Sequence, residues 1–244
     1  MAVAALRFHE VRKTYAGAVA LDAFTLSIEA GECFGLVGVN GAGKTTLLKC
    51  VLDFCEADSG SIDIFGVSHE LTAARAPLAY LPEHFNPPHY LTGRDFLQYM
   101  AKMHRGAYSE SAALDMAKAL DLDPAALDKA VRAYSKGMNQ KLGLAACLLS
   151  RKALYLFDEP TSGLDPRARI LLKRRLSALH DEGRTVFFTS HSLADVEDMC
   201  NRVAVIDGGR LCFTGTPETL KRSQNADSLE QAFMALVAHE VSVP

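Results

Sequence analysis

The run Gly38-Val39-Asn40-Gly41-Ala42-Gly43-Lys44-Thr45 sets three glycines, a lysine and a hydroxyl where an apolar strand gives way to a helix. That is the GxxxxGK[ST] pattern of a phosphate-binding loop. Glycines let the backbone curl so that successive N–H groups converge as an anion nest. The helix that follows adds its positive N-terminal end. Lys44 reaches the outer phosphates of a nucleotide, and the Thr45 hydroxyl can ligand Mg2+. The bland alternative, a glycine-rich turn with a chance lysine, is weakened by the apolar CFGLVG before the loop and TTLLKCVL after it.

A phosphate loop needs a metal ligand and a group that handles water, and LYLFDEP offers both. In open α/β sheets ligands collect outside the carboxyl ends of the strands, so Asp158 and Glu159 are expected beside the loop. Asp158 is the natural partner of Mg2+, through water, and Glu159 is free to orient or deprotonate the attacking water. The alternative is a pair of solvated carboxylates opening a loop. The strand TVFFTS ends likewise at His191, whose imidazole N–H can stabilise transition-state charge; a lone histidine is more often structural. In AYSKGMNQK, residues 133–141, Ser135 reads as a helix N-cap or as a device for holding phosphate, and the residues alone leave both open.

These groups need a frame. LRFHEVRK and FTLSIEA alternate apolar and polar residues, the period of half-buried strands, with Phe24, Leu26 and Ile28 on one face. CFGLVG is nearly all apolar, as in a strand buried on both faces of a parallel sheet, and SGSIDIFG reads as a half-exposed strand. From about Leu91 to Ser150 helical spacing takes over in TGRDFLQYMAKMHR, SAALDMAKALDL and NQKLGLAACLLS. Strand ALYLF, a long helix from Pro166 to about Glu182, strand TVFFTS, helix LADVEDMC, strands RVAVID and RLCFTG, and short helices PETLKRS and SLEQAFMALVAH complete the chain. Strands alternating with helices give an α/β layered fold with one helical insert between its halves. There is no internal repeat, low-complexity segment or long linker.

At 244 residues the chain fits one large domain or two small ones. A net charge of −3 without a basic stripe argues against a nucleic-acid partner. The six cysteines (Cys33, Cys50, Cys55, Cys147, Cys200, Cys212) show no CxxC or Cys/His spacing and read as small buried apolar residues in a reducing compartment. The N-terminus has no signal-peptide pattern and the apolar runs are too short to cross a bilayer. The chain is expected to be soluble, reaching a membrane only through a partner.

Taken together, the motifs resemble the nucleotide-binding subunit of ATP-binding-cassette (ABC) transporters over nearly the whole chain. GVNGAGKTT, ending at Thr46, matches the family's Walker A, LYLFDEP its Walker B, SGLD its D-loop, and SHSLADVEDMCNRVAVIDGGRL the segment around its switch histidine. The resemblance implies a RecA-like P-loop NTPase core with a parallel sheet, an N-terminal antiparallel β subdomain and a helical insert. On that pattern residues 1–244 form a single ATP-binding domain, with a helical subdomain at about 87–150 and a helical tail at about 216–244. It also implies ATP and Mg2+ as ligands and a head-to-tail homodimer, or a pseudo-symmetric dimer with a related ATPase chain. Each ATP would lie between one Walker A and the partner's signature loop.

The family's signature, leucine-serine-glycine-glycine-glutamine, corresponds here to Tyr134-Ser135-Lys136-Gly137-Met138, which keeps the serine and the second glycine. Ser135 can offer its hydroxyl to a γ-phosphate while capping its helix, and Lys136 adds a cation at a cost in backbone freedom. Where the family has a glutamine contacting Mg2+ and water, YLPE places Glu83, which can still bind the metal and link the site to the insert. Tyr15 fits the adenine-stacking aromatic. Asp165 is expected at the dimer interface, ahead of Pro166 as first residue of a helix.

An integral-membrane permease subunit is the implied partner, docking near HFNPPHYLTGRDFLQY, whose Phe85, Tyr90, Phe96 and Tyr99 read equally as core of the insert. The segment YLPE to YLTGRDFL and the tail SLEQAFMALV resemble exporter subunits with a separate permease, which implies a cytoplasmic protein peripheral on the inner face of the cell membrane. A soluble ABC protein of translation or DNA maintenance usually carries two cassettes or long insertions, absent here. A scaffold that has lost hydrolysis is opposed by intact Lys44, Asp158, Glu159 and His191.

Overall fold

The computed structural model of the protein describes residues 4–240. Its strands are β1 (Ala4–Tyr15), β2 (Ala18–Glu29), β3 (Cys33–Val37), β4 (Ser59–Ile64), β5 (Val67–Ser68), β6 (Leu78–Leu81), β7 (Leu154–Asp158), β8 (Thr185–Ser190), β9 (Arg202–Asp207) and β10 (Arg210–Gly215). Its helices are α1 (Lys44–Val51), α2 (Gly93–Met103), α3 (Glu110–Ala119), α4 (Lys136–Leu149), α5 (Pro166–Asp181), α6 (Leu193–Met199), α7 (Pro217–Ser223) and α8 (Leu229–Glu240).

One sheet runs β10-β9-β3-β8-β7-β6, parallel from β9 to β6 with β10 antiparallel at its edge. The other, β2-β1-β4-β5, is antiparallel. Side chains alternate faces along a strand, so the all-apolar strands supply two cores at once. Phe34 and Leu36 of β3, Leu154 and Leu156 of β7 and Phe187 of β8 face the antiparallel sheet, with α1 between the layers. Their neighbours Val37, Tyr155, Phe157 and Phe188 face the core shared with the helical insert and α5. Leu220, Leu229, Ala232 and Phe233 of the closing helices join that second core.

The α/β layering, the parallel sheet, the antiparallel N-terminal sheet and the helical insert match the expectations, and α5 begins at Pro166 as expected. The first hairpin differs. β1 and β2 extend beyond the alternating segments to a tight turn at Ala16–Gly17, both with positive φ, the pattern that joins twisted antiparallel strands. Alternation fails as a signal there because the register shifts between Phe8 and Val11, where Glu10 takes φ 49°. Among the described residues no helix is long and apolar enough to cross a membrane.

Candidate functional site

The phosphate loop leaves β3 at Val37 and ends at Gly43, whose φ of 111° no L side chain adopts readily; a Cβ there would also meet the Ala20 carbonyl oxygen at 2.5 Å. Helix α1 starts at Lys44 with no side-chain cap, so its first-turn N–H groups remain as anion donors. Lys44 is buried, and its Nζ donates to the carbonyl oxygens of Gly38 (2.6 Å) and Val39 (3.2 Å). Burial lowers its pKa, while Glu159, Asp158 and Glu83 act in the opposite direction.

Strand β7 delivers Asp158 to the loop. The Thr45 hydroxyl donates to Asp158 Oδ2 at 3.2 Å, and the Thr189 hydroxyl donates to Oδ1 at 2.5 Å. Burial raises the Asp158 pKa against these two bonds. Thr189, which sequence reasoning did not single out, sits opposite Asp158 in the β7–β8 register and also accepts the Glu159 N–H at 3.1 Å. The signal for it was a buried hydroxyl in TVFFTS, one strand over from a buried carboxylate. Glu159 holds φ 50°, a strained conformation of the kind that clusters at functional sites. Its pKa is raised by burial, opposed by His191 and Lys44. His191 Nδ1 lies 2.8 Å from Glu159 Oε2, yet without hydrogen-bond alignment, so that buried oxygen has no hydrogen-bond partner among the described residues.

A cavity of 370 Å³ gathers Asn40, Gly41, Ala42, Gly43, Lys44, Thr45 and Thr46 with Glu83, Asp158, Glu159 and His191. Eleven residues singled out in the sequence thus converge on one space. Glu83 also lines a second cavity of 470 Å³ that reaches Lys136, Asn139 and Gln140. It therefore stands between the phosphate loop and the insert. Among the described residues no group of three or more His, Cys, Asp or Glu side chains converges as a metal site by itself. The oxygens of Thr45, Asp158 and Glu83 suit Mg2+, which characteristically takes one or two protein ligands and completes its shell from phosphate and water.

The remaining candidates lie apart from that cavity. Ser135 caps α4, accepting the Met138 N–H at 3.2 Å. Lys136 donates to the Ser162 hydroxyl at 3.2 Å and lies along Gly163. A Cβ on Gly137 would meet the Gly163 carbonyl oxygen at 2.8 Å, so the signature and D-loop segments touch only because this position is glycine. Asp165 caps α5, accepting the Ala168 N–H at 2.9 Å, and Lys141 approaches it at 3.5 Å. Tyr15, at the tip of the first hairpin, is 44% exposed and does not line the phosphate cavity. The neighbouring Cys55 thiol, then burial, pushes its phenol up to about 12. Phe96 is core and stacks edge-on against Phe85, whereas Tyr90 and Tyr99 are exposed.

Comparison with known proteins decides the family. The pattern described as ABC transporter matches residues 21–162. The chain belongs to the ABC transporter family. It is 37% identical over 228 residues to the Nod factor export ATP-binding protein I of Burkholderia thailandensis, covering 92% of this chain and 75% of the relative. The protein of the same description from Rhizobium etli is 34% identical, over 90% of this chain and 71% of its own length. A solved structure described as the ATP-binding subunit of an ABC transporter superposes with a TM-score of 0.86 at 28% identity, covering 95% of this chain and 99% of that one. The dimeric post-hydrolysis cassette MJ0796, bound to ADP and Pi, shares the fold at a TM-score of 0.79 and 22% identity, covering 86% of this chain and 98% of that one. This ABC transporter ATP-binding subunit is an ATPase with the P-loop NTPase fold.

Proposed function

We propose that this ABC ATPase powers export through a separate integral-membrane permease, working as a head-to-tail dimer on the inner face of the membrane. The observation that carries the reading is the division of its chemistry: catalytic groups converge in one cavity while Ser135 and Asp165 cap helices outside it. ATP occupies the phosphate loop, with Lys44 exchanging its hold on the Gly38 and Val39 carbonyls for the outer phosphates. Three carboxylates crowd the same cavity. A tetra-anionic nucleotide therefore needs added positive charge, which Mg2+ supplies when held by Thr45, Asp158 and Glu83. Glu159 takes the proton of the attacking water, and His191, beside it, stabilises the charge that develops.

Tyr15 stacks on the adenine, and Ser135, Lys136, Gly137 and Met138 of the partner copy close over the γ-phosphate with Asp165 at the seam. Residues 1–244 act as one ATP-binding domain, with the helical subdomain at about 87–150 as the face toward the permease and a tail at about 216–244, whose last four residues lie outside the described ones. Glu83, lining both cavities, passes the state of the nucleotide to that subdomain. The export direction is supported by the curated relatives, described as Nod factor export ATP-binding proteins. Purification from native membranes in mild detergent tests the assignment. The expected outcome is recovery with a polytopic membrane protein in fixed stoichiometry; recovery with ribosomes or DNA and no permease overturns it.

A further inference from the structure

The turn that carries Glu159 is gripped from both sides. Residue 159 has φ 50°, outside the range an L side chain prefers, and it precedes Pro160, which biases it further toward extended backbone. Its buried Oε2 accepts no hydrogen bond among the described residues, so the aim of the carboxylate depends on the backbone. On the upstream side, the Glu159 N–H donates to the Thr189 carbonyl oxygen at 3.2 Å and to the Thr189 hydroxyl at 3.1 Å. The turn then closes as the Ser162 N–H donates back to the Glu159 carbonyl at 3.0 Å. Between these bonds Pro160 has no N–H to offer, which leaves its carbonyl as the handle. Gln140 takes that handle: its Nε2–H donates to the Pro160 oxygen at 3.1 Å. Glutamine is mostly a surface residue, yet Gln140 is only 3% exposed, in the second turn of α4. The start of the same helix meets the end of the same turn, with Lys136 on Ser162 and Gly137 against Gly163.

We propose that Gln140 is a positioning residue for ATP hydrolysis: by holding the Pro160 carbonyl it keeps the Glu159 carboxylate aimed at the attacking water. The inference rests on the reading of Glu159 as the base. Gln140 does not line the phosphate cavity; it lines the second cavity, beside Glu83, and reaches the chemistry through the turn alone. A side chain of similar length without a donor leaves the buried Pro160 oxygen unpaired. The turn then loses its downstream hold, and residue 159 is free to leave its strained conformation. Binding of the nucleotide belongs to the phosphate loop and the first turn of α1, and survives the change. The loss therefore falls on turnover and spares affinity.

A double-mutant cycle on the full chain tests this. Gln140→Met keeps the length and the helix propensity and deletes the donor. Its kcat should fall about 10- to 100-fold, the scale of misplacing a catalytic group by about 1 Å, with KM for ATP within about twofold. In a Glu159→Gln background, read by single-turnover hydrolysis, the same change should cost less than about twofold, because the group it aims is already gone. A purely structural role would cost equally in both backgrounds. Gln140→Leu, which also lacks a donor, should repeat the pattern. Turnover within about twofold of the parent in both Gln140 variants overturns the proposal, and so does an equal loss in the two backgrounds. Failure of both variants to bind ATP overturns it as well, by assigning Gln140 to the fold alone. If Glu159→Gln by itself leaves turnover intact, the reading of Glu159 as base has failed, and the positioning role fails with it.

Discussion

The phosphate cavity and the signature face use similar residue types in opposite ways. In the cavity most polar groups are answered within the chain, Glu159 Oε2 excepted: Lys44 by two carbonyls, Asp158 by two hydroxyls, the Glu159 N–H by Thr189. Lys44, Asp158 and Glu159 are all buried, at the exits of strands whose other residues make the core. The signature face is built on helix starts and loops, where Asp165 keeps 54% of its side chain exposed. Burial in the core fixes Lys44, Asp158 and Glu159 in position and shifts the pKa of each. A group that meets a partner's nucleotide needs to face outward, and a capped helix start gives it fixed geometry there at little cost in burial.

Removing the proposed proton acceptor while leaving the fold alone breaks this contrast hardest. Glu159→Gln keeps the shape and loses the base, so ATPase turnover should drop about 10²–10⁴-fold, the range of general-base catalysis. ATP binding should persist, and ATP-bound dimers should accumulate on size exclusion. Turnover unchanged in steady-state assay would remove Glu159 from the mechanism.

Next comes the signature face. Ser135→Arg should leave ATP binding to the monomer within about twofold while ATP-driven dimerisation is lost, because a long cation replaces a small hydroxyl at the seam. The variant also loses its cap, at a cost of about 1 kcal/mol in stability. Ser135→Asp separates the two effects, keeping the cap and presenting a carboxylate to the phosphate. Both variants should stay monomeric with ATP under conditions that suppress hydrolysis. Dimerisation of Ser135→Asp alone would show that the cap, and not the phosphate contact, is what the serine provides.

The same contrast sets what is legible in the amino-acid sequence. The phosphate loop, Asp158, Glu159 and His191 are readable because each chemistry demands a residue type at a strand exit, and the apolar strands announce the exits. The layering follows from the alternation of strands and helices. What escapes a linear reading depends on chain reversals and cross-chain neighbours. Thr189 matters through its register with Asp158, and Gly137 through Gly163, more than twenty residues away. The cysteines read as small buried apolar residues because they show no CxxC or Cys/His spacing; the Cys50–Cys55 contact follows from the turn at Asp53, which has no strong residue signal. Lys136, expected as a cation for phosphate, is held by Ser162 in the isolated chain.

A smaller effect sharpens the cavity's side of the comparison. Burial raises the Glu159 pKa above its ordinary 4.5, so the folded state binds this proton more tightly than the unfolded one. The linkage then has a definite sign: the group favours folding fully below 4.5, and that contribution is lost as pH rises through the raised folded value. Above that raised value an ionised Glu159 therefore burdens the nucleotide-free protein. Glu159→Gln removes the titration, and its Tm should exceed the parent's at pH 7.5, by a margin that narrows as pH falls through the raised value. The left-handed backbone of residue 159 is common to both proteins and cancels in the comparison. Thermal melts across that pH range decide the cause. A gap that stays constant with pH would assign the difference to packing and not to the buried carboxylate.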